Sequence, residues 1–127
     1  MVIDDVHIAR REKSVSRLLD NDMLHIYFLP DNTLEAIDFE EGRDDYAMLG
    51  GGRKLRHLIE FGQYCSATNE ARTWAEQNSP EAIAEALVIK SLAQRILVRF
   101  YLSLRKNKHP IKVFGGLQEA KDWLNEH

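Results

Sequence analysis

The sequence predicts an α/β domain with a mixed β-sheet of about five strands, an N-terminal hairpin and about four helices. Two apolar runs of strand length, 86–89 and 111–114, alternate with two amphipathic helical patterns in the last third of the chain. A strand that crosses over through a helix to another strand almost always gives a parallel, right-handed pair. Near the start, runs at 14–19 and 23–29 flank the turn-forming cluster Asp20-Asn21-Asp22, which predicts an antiparallel hairpin.

Length and composition restrict the class of protein. A chain of 127 residues is long enough for one domain with a core and too short for two ordinary ones, so we expect residues 1–127 to form a single domain. The sequence is 44% hydrophobic and 29% charged with a formal net charge of −3, which gives no reason to expect nucleic acid as a partner. No apolar run approaches the roughly 18 to 20 residues of a membrane span. The one cysteine, Cys65, excludes an intrachain disulfide and favours a reducing cytoplasm.

The first half of the chain contains three further predicted elements. Residues 1–12 have mixed charge and little periodicity, so we expect a loose leader or a short edge strand there. A helix is predicted over 33–49, with Asn32 or Thr33 as its cap and acidic residues in its first turn. The short apolar run 57–61 predicts a strand inside the sheet.

The second half is predicted to alternate helices and strands. Its elements are a helix at 69–77 capped by Thr68 or Ser66, a strand at 84–89, a helix at 91–106, a strand at 111–114 and a helix at 117–125. Because each of the later strands is followed by a helix, we expect these strands to be parallel.

The helix at 91–106 has the clearest amphipathic pattern. Apolar residues at three- and four-residue spacings form one broad face: Leu92, Ala93, Ile96, Leu97, Phe100, Tyr101 and Leu104. Aromatic residues usually belong to the core, so we expect Phe100 and Tyr101 to be buried, and Tyr64 as well. Val98 and Leu102 lie off this face and leave surplus apolar surface, which favours a partner such as a second copy of the chain.

Three segments of the last third carry a resemblance to known proteins. They are 86–93 with Phe100-Tyr101 in the helix that follows, 108–114, and 119–124. With this element order the chain resembles the STAS-like proteins, whose fold is that of the bacterial anti-anti-sigma factors, and more closely a group of small SpoIIAA-like bacterial proteins. The resemblance implies a STAS-like domain that regulates or binds other proteins.

The resemblance also points to the loop and helix start at 66–72. In anti-anti-sigma factors the corresponding loop resembles Asp-Ser-Ser-Gly, and a serine at the helix N-terminus is phosphorylated to switch partner binding. Here Asn69 falls near the aspartate and Glu70-Ala71 near the serines, so the matching hydroxyl is missing. Helix capping accounts for the nearby hydroxyls. We expect a partner-binding loop that contains Ser66, Thr68, Asn69, Glu70 and Arg72.

The sequence assembles no catalytic or metal-binding pattern. Cys65 and either His25 or His57 could form a nucleophile pair, but the neighbours of Cys65 carry no nucleophile signature, and small buried cysteines are common. The five histidines lack the spacing of a metal site. We therefore predict no metal, no cofactor and no enzymatic activity.

The leading hypothesis is a non-enzymatic, STAS-like regulatory or protein-interaction domain that is cytoplasmic and homodimeric. It would act through the 66–72 loop and through Val98, Tyr101 and Leu102 of the long helix. The alternative is a carrier of a small apolar or lipid-like ligand in a pocket beneath the helix at 91–106, because such ligands bind in concave apolar sites.

Overall fold

The computed structural model describes residues 2–5, 7–20 and 22–127. The strands are β1 (Val2–Asp5), β2 (Ile8–Arg10), β3 (Ser14–Leu19), β4 (Met23–Phe28), β5 (Thr33–Leu34), β6 (Arg56–Phe61), β7 (Ser66–Ala67), β8 (Ala84–Val88) and β9 (Ile111–Phe114). The helices are α1 (Ala36–Gly50), α2 (Asn69–Asn78), α3 (Leu92–Ser103) and α4 (Leu117–Asn125).

Seven strands form one mixed sheet in the order β1-β2-β3-β4-β6-β8-β9. Strands β1 to β4 pair antiparallel, whereas β4, β6, β8 and β9 pair parallel. The predicted hairpin is confirmed, with Ser14 opposite Phe28 and Leu19 opposite Met23; Asn21 of its turn lies outside the described residues. The parallel pairing of the later strands is confirmed too, and with it the α/β class.

The sheet contains seven strands instead of about five, because residues 2–5 and 8–10 form two strands at its edge. Two further strands of two residues each, β5 and β7, pair parallel in a separate ribbon. This pairing keeps Thr33 and Leu34 extended, so α1 begins at Ala36 and neither Asn32 nor Thr33 caps it. Asp38 accepts a hydrogen bond from the Glu35 backbone N–H at 2.7 Å and closes the helix start instead.

Helices α1 and α4 cover opposite faces of the sheet. On one face, Tyr46 of α1 packs with Leu24 of β4 and with Leu55 in a buried cluster. On the other face, Ala120 and Leu124 of α4 pack on buried residues of β6 and β8, among them Leu58, Ala84, Ala86 and Val88. Successive side chains of a strand point to opposite faces, so β4 contributes Leu24 to the first cluster and Met23 to the second. We refer to these two sides as the α1 face and the α4 face.

The three helices that connect parallel strands lie on the α1 face. Right-handed crossovers between strands that follow one another in one direction place α1, α2 and α3 on the same side. In agreement, α2 contacts α1, and Glu76 of α2 accepts a hydrogen bond from Tyr101 of α3. Helix α4 follows the last strand and returns over the opposite face.

A buried ion pair joins the N-terminal strands to α1. Asp45 is fully buried, and Arg11 donates from Nη2 to its Oδ1 at 2.8 Å. This hydrogen bond raises the pKa of Arg11, because the neighbouring carboxylate favours the charged guanidinium. Removing one partner of such a pair typically costs about 3–5 kcal/mol, so the contact is a strong link between β2–β3 and the helix layer.

Candidate functional site

The apolar face of α3 points into solvent. Phe100 is 64% exposed and Leu104 is 70% exposed, and no residue of this described helix is buried. The other large side chains of the exposed face are Leu92, Ile96, Leu97 and Tyr101. The prediction that Phe100 and Tyr101 belong to the core is therefore wrong. We call the six large side chains the α3 apolar face.

The opposite side of α3 faces its own domain. Val98 and Leu102 are four residues apart, so they lie on one side of the helix, and both are half-buried. Phe100, two residues from each of them, points the other way. Of the three residues predicted to form an interface or pocket on this helix, Tyr101 is exposed, while Val98 and Leu102 are half-buried on the inward side, and the role of all three stays a prediction.

Arginine side chains hold α3 against the sheet. Arg95 donates from Nη1 to the carbonyl oxygens of Ile89 and Lys90 at 2.7 and 3.0 Å. Arg99 donates from Nη2 to the carbonyl oxygen of Val113 at 3.2 Å. Charge-assisted hydrogen bonds of this kind are stronger than neutral ones. The helix therefore turns its cationic side toward the ends of β8 and β9 and leaves its apolar side outward.

The C-terminal end of α3 is attached to α2. The Tyr101 hydroxyl donates to the Glu76 carboxylate, and this hydrogen bond raises the pKa of Tyr101. Arg105 lies 3.9 Å from Glu76 and over the Tyr101 ring, 5.7 Å from its centroid. At the other end, Ser91 caps the helix by accepting a hydrogen bond from the Gln94 N–H at 3.3 Å.

The predicted 66–72 loop divides into residues with internal partners and exposed residues. Thr68 caps α2 as predicted, with its Oγ1 accepting from the Ala71 N–H at 3.0 Å. Arg72 donates to the Ala67 carbonyl oxygen from two of its nitrogens. Ser66, Asn69 and Glu70 are exposed. A partner-binding role of this loop stays a prediction.

Sequence reasoning missed the position of Tyr64 in this loop. Tyr64 was expected in the core and is 78% exposed, in a turn where its φ is +62°. A non-glycine residue in the left-handed region is uncommon, and a single aromatic residue two positions after Gly62 carries no periodicity that would signal it. Because β6 and β8 are parallel, their carboxyl ends lie on the same side of the sheet. The loop after β6 and the start of α3 after β8 are therefore close to each other.

Cys65 and the histidines lie in separate environments. Cys65 is buried, and burial raises the pKa of its thiol to about 11, which keeps it protonated at neutral pH. Burial lowers the pKa of His57 to about 4, and its ring packs on Tyr46 with 4.9 Å between centroids. His25 contacts Glu60, and His109 contacts Glu85. Within the described residues, no three His, Cys, Asp or Glu side chains are grouped as metal ligands would be.

Two cavities lined by described residues bear on this alternative, and charged or polar side chains contribute to the walls of both. One, of about 220 Å³, is lined by Val15, Arg17, His25, Tyr27 and Glu60. The other, of about 190 Å³, lies between α2 and the connection from α3 to β9, where Glu76, Glu85, Arg105 and His109 contribute to its wall. Neither is the apolar pocket beneath α3 that a carrier of lipid-like ligands requires.

Comparison with solved structures identifies the fold. The crystal structure of an uncharacterized protein from Shewanella loihica PV-4, of the DUF3478 family and with a SpoIIAA-like fold, superposes with a TM-score of 0.58. The match covers 92% of this chain and 89% of that chain at 16% sequence identity, so the shared feature is the SpoIIAA-like fold itself. No curated protein sequence matches the chain.

Two further findings concern the whole chain. Among the described residues, no helix is both long and apolar enough to cross a membrane. A family model described as "Domain of unknown function (DUF7793)" matches residues 17–127, which is most of the sequence, and the protein belongs to that family.

Proposed function

We propose that this protein is a non-enzymatic regulatory or protein-interaction domain that associates through the α3 apolar face, and that its first partner is a second copy of the same chain. The observation that carries the proposal is the exposure of six large apolar side chains on one side of a single helix. Single exposed apolar residues are normal, whereas a contiguous patch of this kind marks an interaction site.

The size of the patch supports a dimer. An aromatic side chain has a surface of roughly 150–250 Å² and an aliphatic one somewhat less, and about half to two-thirds of each of the six is exposed, which gives a patch on the order of 600 Å². Two copies that cover each other's patch would bury on the order of 1,200 Å², the lower limit for specific protein interfaces.

The distribution of charge also supports a second copy. The exposed side of α3 carries no charged side chain between Leu92 and Leu104, because Arg95 and Arg99 reach back to carbonyl oxygens of their own domain. Homodimer interfaces are apolar and poor in charge at their centre. A two-fold antiparallel contact of α3 with itself would place Ile96, Leu97 and Phe100 near the axis, at the uncharged centre of the contact.

Sedimentation equilibrium of the wild type, Phe100→Glu and Ile37→Glu tests the proposal. Ile37 is the matched control, because it is an exposed apolar residue on another helix, α1. A central interface residue typically costs at least about 2 kcal/mol, so we expect Phe100→Glu to weaken the dimer by roughly 30-fold or more. Ile37→Glu should dimerise like the wild type, and circular dichroism should show all three proteins folded.

Other results would assign the α3 apolar face to a different partner or to none. A wild type that stays monomeric at tens of micromolar contradicts the second copy. Flotation of that monomer with anionic lipid vesicles, lost in Phe100→Glu, would assign the face to a membrane surface instead. Equal weakening of the dimer by both substitutions would show that the interface lies outside the α3 apolar face.

The exposed residues of the 66–72 loop are a second proposed contact. Glu70 is at the start of α2, beside the carboxyl ends of the parallel strands, where α3 also begins. If the loop belongs to the dimer interface, Glu70→Lys should change the dissociation constant in a salt-dependent way, by less than Phe100→Glu. An unchanged dimer would leave the loop free for a different protein partner.

A cytoplasmic location is part of the proposal, supported by the single, buried and protonated cysteine.

A further inference from the structure

The α4 face of the sheet is only partly covered. Helix α4 contacts mainly β6, β8 and β9, and only the end of β3 and β4 with Leu19 and Met23 joins its cluster, so the rest of β3 and β4 on this face lies outside its main contacts. The cavity of about 220 Å³ lies there. Its lining is set by strand register, since Arg17 is opposite His25, Val15 is opposite Tyr27, and Tyr27 is opposite Glu60. Side chains on three paired strands are positioned more rigidly than side chains on a loop.

The carboxylate in the cavity wall, that of Glu60, already contacts two side chains of the protein. Glu60 Oε1 lies 3.0 Å from His25 Nε2, and Glu60 Oε2 lies 3.4 Å from Lys90 Nζ. The Lys90 charge compensates that of Glu60, and the Glu60 contact orients the His25 ring. When Nε2 of neutral His25 donates to Glu60, Nδ1 is left as an acceptor.

Two cationic side chains near the cavity, those of Arg17 and Lys121, have no carboxylate partner among the described residues. Arg17 lines it, and the Lys121 ammonium on α4 is close enough to His25 to disfavour its charged form. Neither Arg17 nor Lys121 forms an ion pair or side-chain hydrogen bond within the described residues. A concave site with uncompensated positive charge attracts anions, and a guanidinium binds carboxylate or phosphate oxygens in a bidentate manner.

The remaining lining is apolar and aromatic. Tyr27 and Val15 are half-buried neighbours on paired strands and provide a ring and a branched side chain for a flat apolar group. The cavity is smaller than the roughly 300–1,000 Å³ of ordinary small-molecule pockets, which limits the ligand to about one ring. We infer that this cavity is a binding site for a small aromatic anion, whose carboxylate or phosphate pairs with Arg17 and whose ring lies against Tyr27.

The site is independent of the proposed dimer, because it lies on the face of the sheet opposite to α3. Its charge also depends on pH. Burial lowers the pKa of His25 from its ordinary value of 6.5, against the opposing influence of Glu60, while Arg17 and Lys121 lower it further. The groups that face His25 are therefore Arg17 from β3, Glu60 from β6 and Lys121 from α4. Protonation of His25 adds a positive charge, and because its pKa lies below 6.5, anion binding should tighten as pH falls below that value.

Titration of ¹⁵N-labelled protein with benzoate and with phenyl phosphate tests the site, with inorganic phosphate as the probe that lacks a ring. We expect saturable amide shifts on β3, β4 and β6 with both aromatic probes and weaker binding of inorganic phosphate. Arg17→Gln should weaken benzoate binding about tenfold or more. Lys54→Gln is the matched control, since it removes the same charge from an exposed residue outside the cavity. Benzoate is used for the pH series because its carboxylate stays mostly ionised in mild acid, whereas the charge of phenyl phosphate changes there.

Three results would overturn the inference: no saturable shift with either aromatic probe, shifts confined to other elements, or equal weakening by Arg17→Gln and Lys54→Gln, which would indicate unspecific charge attraction. Tyr27→Leu separates ring recognition from charge. It should weaken benzoate binding and leave the affinity for inorganic phosphate unchanged, and equal loss for both probes would contradict the role of the ring.

Discussion

Helices α3 and α4 have similar amphipathic patterns and opposite surroundings. In α4, Ala120 and Leu124 are fully buried against β6 and β8, where Ala84 and Ala86 leave room for a close approach. In α3, the large apolar side chains face solvent, and arginine-to-carbonyl hydrogen bonds hold the inward side. The comparison shows that an amphipathic pattern identifies an apolar face of a helix but does not identify the surface that covers it.

The largest expected difference between the two helices concerns leucine truncation. Leu124→Ala removes a fully buried side chain of α4 and should lower the free energy of unfolding by about 2–5 kcal/mol. Leu104→Ala removes a mostly exposed side chain at the C-cap of α3, and it should change that free energy by no more than about 0.5 kcal/mol. Urea denaturation at a concentration where the monomer dominates measures both, and similar losses would mean that α3 packs on its own domain as α4 does.

The next effect is the dependence of stability on protein concentration. Association stabilises the folded state by mass action, so the Tm of the wild type should rise with concentration. Phe100→Glu should move this rise to concentrations roughly 30-fold higher or more, which corresponds to a loss of at least about 2 kcal/mol of dimerisation free energy. Leu124→Ala should lower the Tm and keep its concentration dependence. A rise that persists in Phe100→Glu at the same concentrations would place the association elsewhere than on α3.

A smaller effect is expected from the arginine that anchors α3. Arg95→Gln removes two hydrogen bonds to the carbonyl oxygens of Ile89 and Lys90 and keeps a good helix-forming residue. We expect the local opening free energy of α3 to fall by about 1–3 kcal/mol. Hydrogen exchange followed by mass spectrometry should show faster exchange in α3 peptides and unchanged exchange in α4 peptides. Unchanged exchange in α3 would show that the other contacts of the helix hold it without the Arg95 hydrogen bonds.

The smallest effects concern the helix N-termini. Ser91→Ala removes the cap of α3 and should cost about 1 kcal/mol, within a range of about 0.5–2. Helix α4 begins after Gly116, which provides no side-chain cap, and its backbone has the extended conformation that serine accepts at such a position. Gly116→Ser should therefore stabilise the protein by a few tenths of a kcal/mol. Thermal denaturation of both variants, in the Phe100→Glu background, checks the opposite signs.

Much of the fold could be predicted from the sequence because it depends on local patterns. The hairpin from Ser14 to Phe28, the parallel strands and the four helices all follow from periodicity, turn residues and the handedness of crossovers. The ribbon of Thr33–Leu34 and Ser66–Ala67 could not be predicted, since two-residue strands have no period and exist only where distant segments pair.

The candidate sites were less accessible to sequence reasoning than the fold. The sequence by itself determined that α3 has one broad apolar face, because spacing along the chain sets which side chains share a side of a helix. Only the tertiary structure decided that this face turns outward, since the carbonyl oxygens that bind Arg95 and Arg99 become available only where β8 and β9 end beside the helix. The cavity at Arg17 and Tyr27 also depends on the tertiary structure. Three strands contribute its residues, and only the register of these strands in the sheet brings the residues together.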